Sequence, residues 1–290
     1  MDPSTAISIL IPSLLALVVA RRGFRVDDEY VDRWAGSANV ELTEERRPVL
    51  RRYLAWSRRS RTAGALAGFL APVVASQIAG TPEDPAGWSV VLMITGYLLG
   101  ALFAEIVIHR PRPGQRIALL VPRRLGDYLP RHVLVLQRVL GILAGSMVVV
   151  YALVEPHARL PKIPSIAQAA ALGLTGVVIA VGIEALERRI VARRQPAATV
   201  GDVELDDAMR SSSLHVLAGV GVALLVYIAG GLVLLTIASA IPEAVFEVIG
   251  IPLTLLLFAS ALFAWAHLSK PNGFTVRRGG HVRMPAGVSA

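Results

Sequence analysis

The chain has 290 residues, 54% of them hydrophobic and only 17% charged, with a mean hydropathy of +0.59 and a formal charge of +8. A soluble domain carries about a quarter charged residues, so a chain this apolar must place much of its surface against lipid. The absence of cysteine excludes disulfides, thiolate catalysis and cysteine–metal sites. The six histidines (His109, His132, His157, His215, His267, His281) have no ligand spacing, so no metal and no cofactor is expected.

Crossing the hydrocarbon core of a bilayer takes about 20 mostly apolar residues. Seven segments qualify: 4–20, 63–80, 88–108, 139–154, 165–186, 214–240 and 244–268. The first is preceded by Asp2 and followed by Arg21, Arg22 and Arg25, the reverse of a signal peptide's charge order. It is expected to be an uncleaved helix with its N-terminus outside. Pro12, Pro72 and Pro252 fall inside expected spans, where neighbouring helices or water can satisfy the freed carbonyls.

The acidic run VDDEYVD (26–32) follows the first span. Asp27, Asp28, Glu29 and Asp32 could together hold a divalent cation, the arrangement a metal-dependent lipid-headgroup enzyme would need. The run lies between Arg25 and Arg33, however, and its only companion is DVELDD at 202–207. A solvated face of an amphipathic helix is the plainer reading. The next segment, ELTEERRPVLRRYLAWSRRSRTAG (41–64), resembles one found in uncharacterised multi-spanning membrane proteins of actinobacteria. That resemblance implies a bacterial plasma membrane and no particular activity.

Sidedness tests all seven spans together. The segments 21–62, 109–138, 187–213 and 269–290 hold 27 of the 29 basic residues, and the intervening loops hold only Arg159 and Lys162. The positive-inside rule then gives an N-terminus outside and a C-terminus inside. Topology thus accounts for the positive charge without nucleic acid. Arginines on that side, among them Arg51, Arg52, Arg58, Arg59, Arg112, Arg123 and Arg124, are candidate contacts for anionic lipid or a cytosolic partner.

An internal repeat is expected. GALAG (64–68), GILAG (141–145) and HVLAG (215–219) each open an outward span; LRRYL (50–54) matches LGDYL (125–129); ALFAEIVIHRPRP (101–113) matches ALFAWAHLSKPNG (261–273). The pattern predicts an N-terminal segment (1–45) and three units, 46–121, 122–202 and 203–290. Each unit would be a short cytosolic amphipathic helix followed by a helical hairpin, with glycines such as Gly64, Gly68, Gly141, Gly145 and Gly219 letting helices approach. The fold class is therefore all-α, a polytopic membrane protein of one membrane domain.

Few charges lie at or inside the spans. Glu105, with Arg110 beyond it, and Glu184, with Arg188 beyond it, are one turn above arginine clusters, and His215 lies at the mouth of the sixth span. An interfacial ion pair that fixes helix depth is the plainer reading; a cytosolic-face site for a cation, proton or lipid amine is the sharper one. No Asp, Glu, Lys or Arg falls near the middle of a span, which counts against an ion-driven pump. No phosphate-binding loop, dinucleotide fingerprint or nucleophile elbow is present.

The expectation is a non-enzymatic membrane subunit of a transport or export complex. Its cytosolic helices (44–60, 122–137, 202–212) would dock an ATPase-like partner, and assembly into oligomers is compatible with the sequence. The alternatives are an anionic-lipid-binding scaffold or signalling protein, and the headgroup enzyme that would use Asp27, Asp28 and Asp32.

Overall fold

A computed structural model describes residues 25–79, 86–108, 123–154, 164–193 and 200–269. The expected first span, Arg110, Arg112 and the basic tail lie outside the described residues. All regular structure among the described residues is helical, and it divides into two units between Gly114 and Gln115.

In the first unit, α1 (Asp28–Ser37) starts where the Asp27 carboxylate accepts a hydrogen bond from the Tyr30 amide at 2.9 Å, with Asp28 and Glu29 favourable in the first turn. It ends at Asn39, whose φ of 53° is one that asparagine tolerates better than most residues. Val31 and Ala35, one turn apart, are buried, and Trp34 meets Tyr53 edge-on at 6.2 Å.

The helix α2 (Arg47–Ala79) crosses α3 (Ala86–Ile108) antiparallel through glycine. Gly64 and Gly68 on one helix face Gly96, Gly100 and Leu92 on the other. A Cβ added at Gly64 would overlap the Gly96 carbonyl oxygen, and one at Gly68 the Leu92 carbonyl. The obstacle is backbone on both sides, so no side chain can swing away. Small residues at four-residue spacing are how helices approach this closely where the solvent is itself apolar.

The second unit runs from a 3₁₀ turn (Leu125–Asp127) through α4 (Arg131–Val154), α5 (Ile166–Ala192), α6 (Val200–Ala240) and α7 (Glu243–Leu268). Ser165 opens α5 with a capping box to Gln168, and the Tyr151 hydroxyl donates to the Pro164 carbonyl, tying the end of α4 to the start of α5. α6 packs against α4, α5 and α7, and residues 210–225 along it are all buried. Its core side chains Ile228, Ala229 and Leu232 meet Ala144 and Tyr151 of α4 and Ala169 of α5.

Among the described residues, four helices are long and apolar enough to cross a membrane: Arg131–Val154, Ile166–Ala192, Val203–Ala240 and Val248–Leu268. The apolar stretch of α3, Leu92–Val107, is shorter. Large aliphatics stand outward along these helices; Ile142 is 70% exposed, Leu153 71% and Val248 74%. Such surface is unfavourable in water and suits hydrocarbon.

The three expected cytosolic helices are corrected. The amphipathic helices at 44–60 and 202–212 are not separate elements; they are the N-terminal arms of α2 and α6, which run unbroken for 33 and 41 residues. The boundary was drawn where composition turns from charged to apolar, but a helix ends at a stop signal, and neither segment has a Gly–Pro break there. The third such helix, at 122–137, is a 3₁₀ turn followed by the first turns of α4.

Among the described residues three successive helix pairs are present, but the two repeat anchors lie in different registers. Trp265, the match of Glu105, lies against Gly219 in α6–α7. In α2–α3, Gly100 already faces Ser60 and Arg61, so Glu105 lies roughly three turns from Gly68, the match of Gly219.

The glycine crossing yields a first prediction. Gly64→Val or Gly96→Val should lower stability by about 1–3 kcal/mol, read as a fall in the unfolding midpoint of the full chain in detergent. Gly36→Ala, where no atom lies within 4 Å of an added Cβ, should leave the midpoint unchanged or raise it.

Candidate functional site

The acidic run resolves into individual pairings. Asp27 is spent as the α1 cap, Glu29 pairs with Arg33 at 2.6 Å, Asp32 with Arg47 at 2.9 Å, and Asp28 approaches Arg51 at 3.5 Å. Arg51 also donates to the Val26 carbonyl, and Arg58 sits over the Tyr30 ring, 5.1 Å from its centre. The run and the basic arm of α2 therefore zip α1 onto α2. Among the described residues, no group of three His, Asp or Glu side chains could hold a metal. Arg52, Arg59 and Arg124 remain exposed.

Glu105 is only 1% exposed, buried in the α2–α3 hairpin where Arg61 interacts electrostatically with it and with Tyr97. It is thus turned toward α2. An open apolar groove of about 760 Å³ runs along the same hairpin between Trp56 and Phe103, with the glycine crossing as its floor.

Glu184, in the second unit, clamps two helices. Arg138 of α4 reaches it through Nε at 3.1 Å and Nη2 at 2.6 Å, and Arg188 joins from the next turn of α5. His215 is buried on α6 with Nδ1 at 2.8 Å from the Ser211 carbonyl. Glu184 and Arg188 are therefore brought together as expected from their spacing, while Glu105 belongs to the other unit.

The densest polar arrangement lies where α5 hands over to the arm of α6. Arg210 has no exposed surface. Its Nη1 donates to the carbonyls of Ile190, Val191 and Arg193 at 2.8, 2.9 and 3.0 Å, and its Nη2 to Asp206 at 2.8 Å. These carbonyls close α5, where that of Ile190 also accepts the Arg193 amide at 3.3 Å, and a cation there complements the negative end of the helix dipole. Arg193 completes the bridge to Asp206 at 2.5 Å. Beside it, Asp207 receives Arg123 at 3.1 Å and the Tyr128 hydroxyl at 3.1 Å. Burial, reinforced by the Asp207 carboxylate, pushes the Tyr128 phenol up to about 12. Arg123 is thus partly buried against α6.

One further buried pair joins α4 to α5. Glu187, with no exposed surface, accepts a hydrogen bond at Oε1 from Gln137 Nε2 at 3.0 Å. Gly221 of α6 lies against the same Gln137 side chain and against Ile183.

Sequence reasoning missed Gln137, Glu187, Asp206 and Arg210. The signal for Asp206–Arg210 was present as an acid and a base at i,i+4 spacing, followed by Ser211–Ser213 leading into an apolar run. Glu187 was overlooked because the fifth span was ended at Leu186, whereas α5 continues to Ala192.

Arg210→Ala should destabilise the protein by about 3–5 kcal/mol, since Asp206 and three carbonyls lose a buried donor. Arg210→Lys should recover part of that loss, because it restores the charge but not the planar fork. Unfolding midpoints in detergent check both.

No family model matches the chain, and no curated protein or solved structure is significantly similar to it.

Proposed function

We propose that the chain is a non-enzymatic, seven-span subunit of a transport or export complex in a bacterial plasma membrane, N-terminus outside and C-terminus inside, on which an ATPase-like cytosolic partner docks. The continuity of α2 and α6 supports this reading most. At 1.5 Å per residue they measure about 50 and 60 Å, well beyond the roughly 30 Å hydrocarbon core. Each is charged in its N-terminal part and apolar beyond it. A continuous helix transmits a push at its charged end into its apolar part, in α2 as far as Pro72. Such arms suit a subunit driven from outside itself, in keeping with a sequence that lacks any nucleotide-binding motif.

The fate of the arginines weighs the alternatives. Arg123, Arg193 and Arg210 are largely withdrawn into internal pairs and Arg51, Arg58 and Arg138 have acidic or aromatic partners, which weakens the case for an anionic-lipid scaffold. Asp27, Asp28 and Asp32 are engaged in the cap and the α1–α2 pairs, which disfavours the headgroup enzyme. Arg52 and Arg59, exposed on the arm of α2, are the contacts expected to carry docking.

Purification from native membranes in mild detergent, followed by mass spectrometry, should recover a stoichiometric cytosolic protein. Arg52→Glu combined with Arg59→Glu should reduce its recovery several-fold. Recovery of the wild-type chain alone, or with anionic lipid only, would overturn the reading.

A further inference from the structure

We propose that Glu187 and Gln137 form a proton-binding site enclosed by α4, α5 and α6, in which the Glu187 carboxyl is neutral in the closed state and gives up its proton when these helices part. Glu187 has no exposed surface, and Oε1 takes the Gln137 amide at 3.0 Å. Its other oxygen, Oε2, is also buried and has no hydrogen-bond partner among the described residues. An ionised carboxylate in that position would have one neutral donor and no counter-charge, a costly arrangement among packed side chains. A proton on Oε2 removes the charge while leaving Oε1 to accept from Gln137.

The charged groups nearby are committed elsewhere. On its own helix, Glu184 is held by Arg138 of α4 and by Arg188. On α6, Arg210 is turned to Asp206 and the end of α5, and His215 faces the Ser211 carbonyl. From the 3₁₀ segment, Asp127 accepts the Arg124 amide, Tyr128 donates to Asp207, and Arg123 pairs with Asp207. None supplies Glu187 with a cation. The α6 backbone is close at this level because Gly221 has no side chain; a Cβ there would meet Ile183 and the Gln137 amide. The site therefore lies at a contact of three helices, where small separations would admit water. The site does not rest on the transport reading.

The test uses dicyclohexylcarbodiimide, an apolar reagent that attacks protonated carboxyls, on the full chain in detergent, with adducts mapped by peptide mass spectrometry. Near neutral pH, Glu187 should label at least about tenfold more than the solvent-facing Glu29, and labelling should fall about tenfold per pH unit once the proton is lost. Gln137→Leu removes the donor that helps the ionised form, so its labelling should persist to higher pH, a shift that a purely structural role would not produce. Glu187→Gln should lose the adduct and keep a monodisperse elution profile. Absence of labelling at Glu187 in the wild type, or protection by sodium or potassium at constant pH, would overturn the proposal, the latter by assigning a metal cation instead. The labelling needs no partner protein, so its outcome is independent of partner capture.

Discussion

A charge or an open carbonyl withdrawn from water must find its complement inside the protein, because the bilayer and the packed interior offer none. The second unit is organised by that requirement. The last turn of α5 presents its carbonyls to a buried junction, where Arg210 of the following helix donates to those of Ile190, Val191 and Arg193. Arg210 in turn requires Asp206, which is shared with Arg193, while Asp207 is satisfied by Arg123 and Tyr128. The start of α6, the end of α5 and the 3₁₀ turn are thereby fixed by one connected set of donors and acceptors. Removing one member leaves several others unsatisfied, so the set acts as a unit.

Away from that junction the two units solve helix packing differently. The α2–α3 hairpin has its backbones in near contact at four glycines, and contact of this kind depends on shape rather than on expulsion of water. In the second unit α6 is central, surrounded by α4, α5 and α7, and its apolar side chains fill the interior while those of α4, α5 and α7 also face outward. Both solutions leave long rows of exposed Val, Ile and Leu, which belong in hydrocarbon.

The all-helical character, the helix pairs and the close approach at Gly64, Gly68, Gly141, Gly145 and Gly219, where an added Cβ would meet a neighbouring helix, were legible in the sequence, because apolar length and small-residue spacing are local properties. The joining of charged arms to α2 and α6 was not, since a change of composition resembles an element boundary without being one. Glu184 is marked in the sequence by its neighbouring arginines, yet its main partner, Arg138, lies 46 residues away on another helix. Separation along the chain likewise hid Gln137 from Glu187, 50 residues apart, and the α5 carbonyls from Arg210, 17 to 20 residues apart: a sequence displays charges, while the backbone acceptors and amides that complete them become visible only once helices are placed together. Glu105 illustrates the converse. Its position before HRPRP suggested pairing along its own chain segment, whereas it is buried toward Arg61 across the hairpin.

Lipid-imposed sidedness of the arginines is the claim on which the functional reading most depends, and the absence of native cysteine makes it directly measurable. Ser37, at the end of α1, and Ala240, at the end of α6, are both exposed. With single cysteines at these positions, a membrane-impermeant maleimide applied to intact cells should modify Ala240→Cys and spare Ser37→Cys until the membrane is permeabilised. Modification of both from one side, or the reverse pattern, would contradict the account.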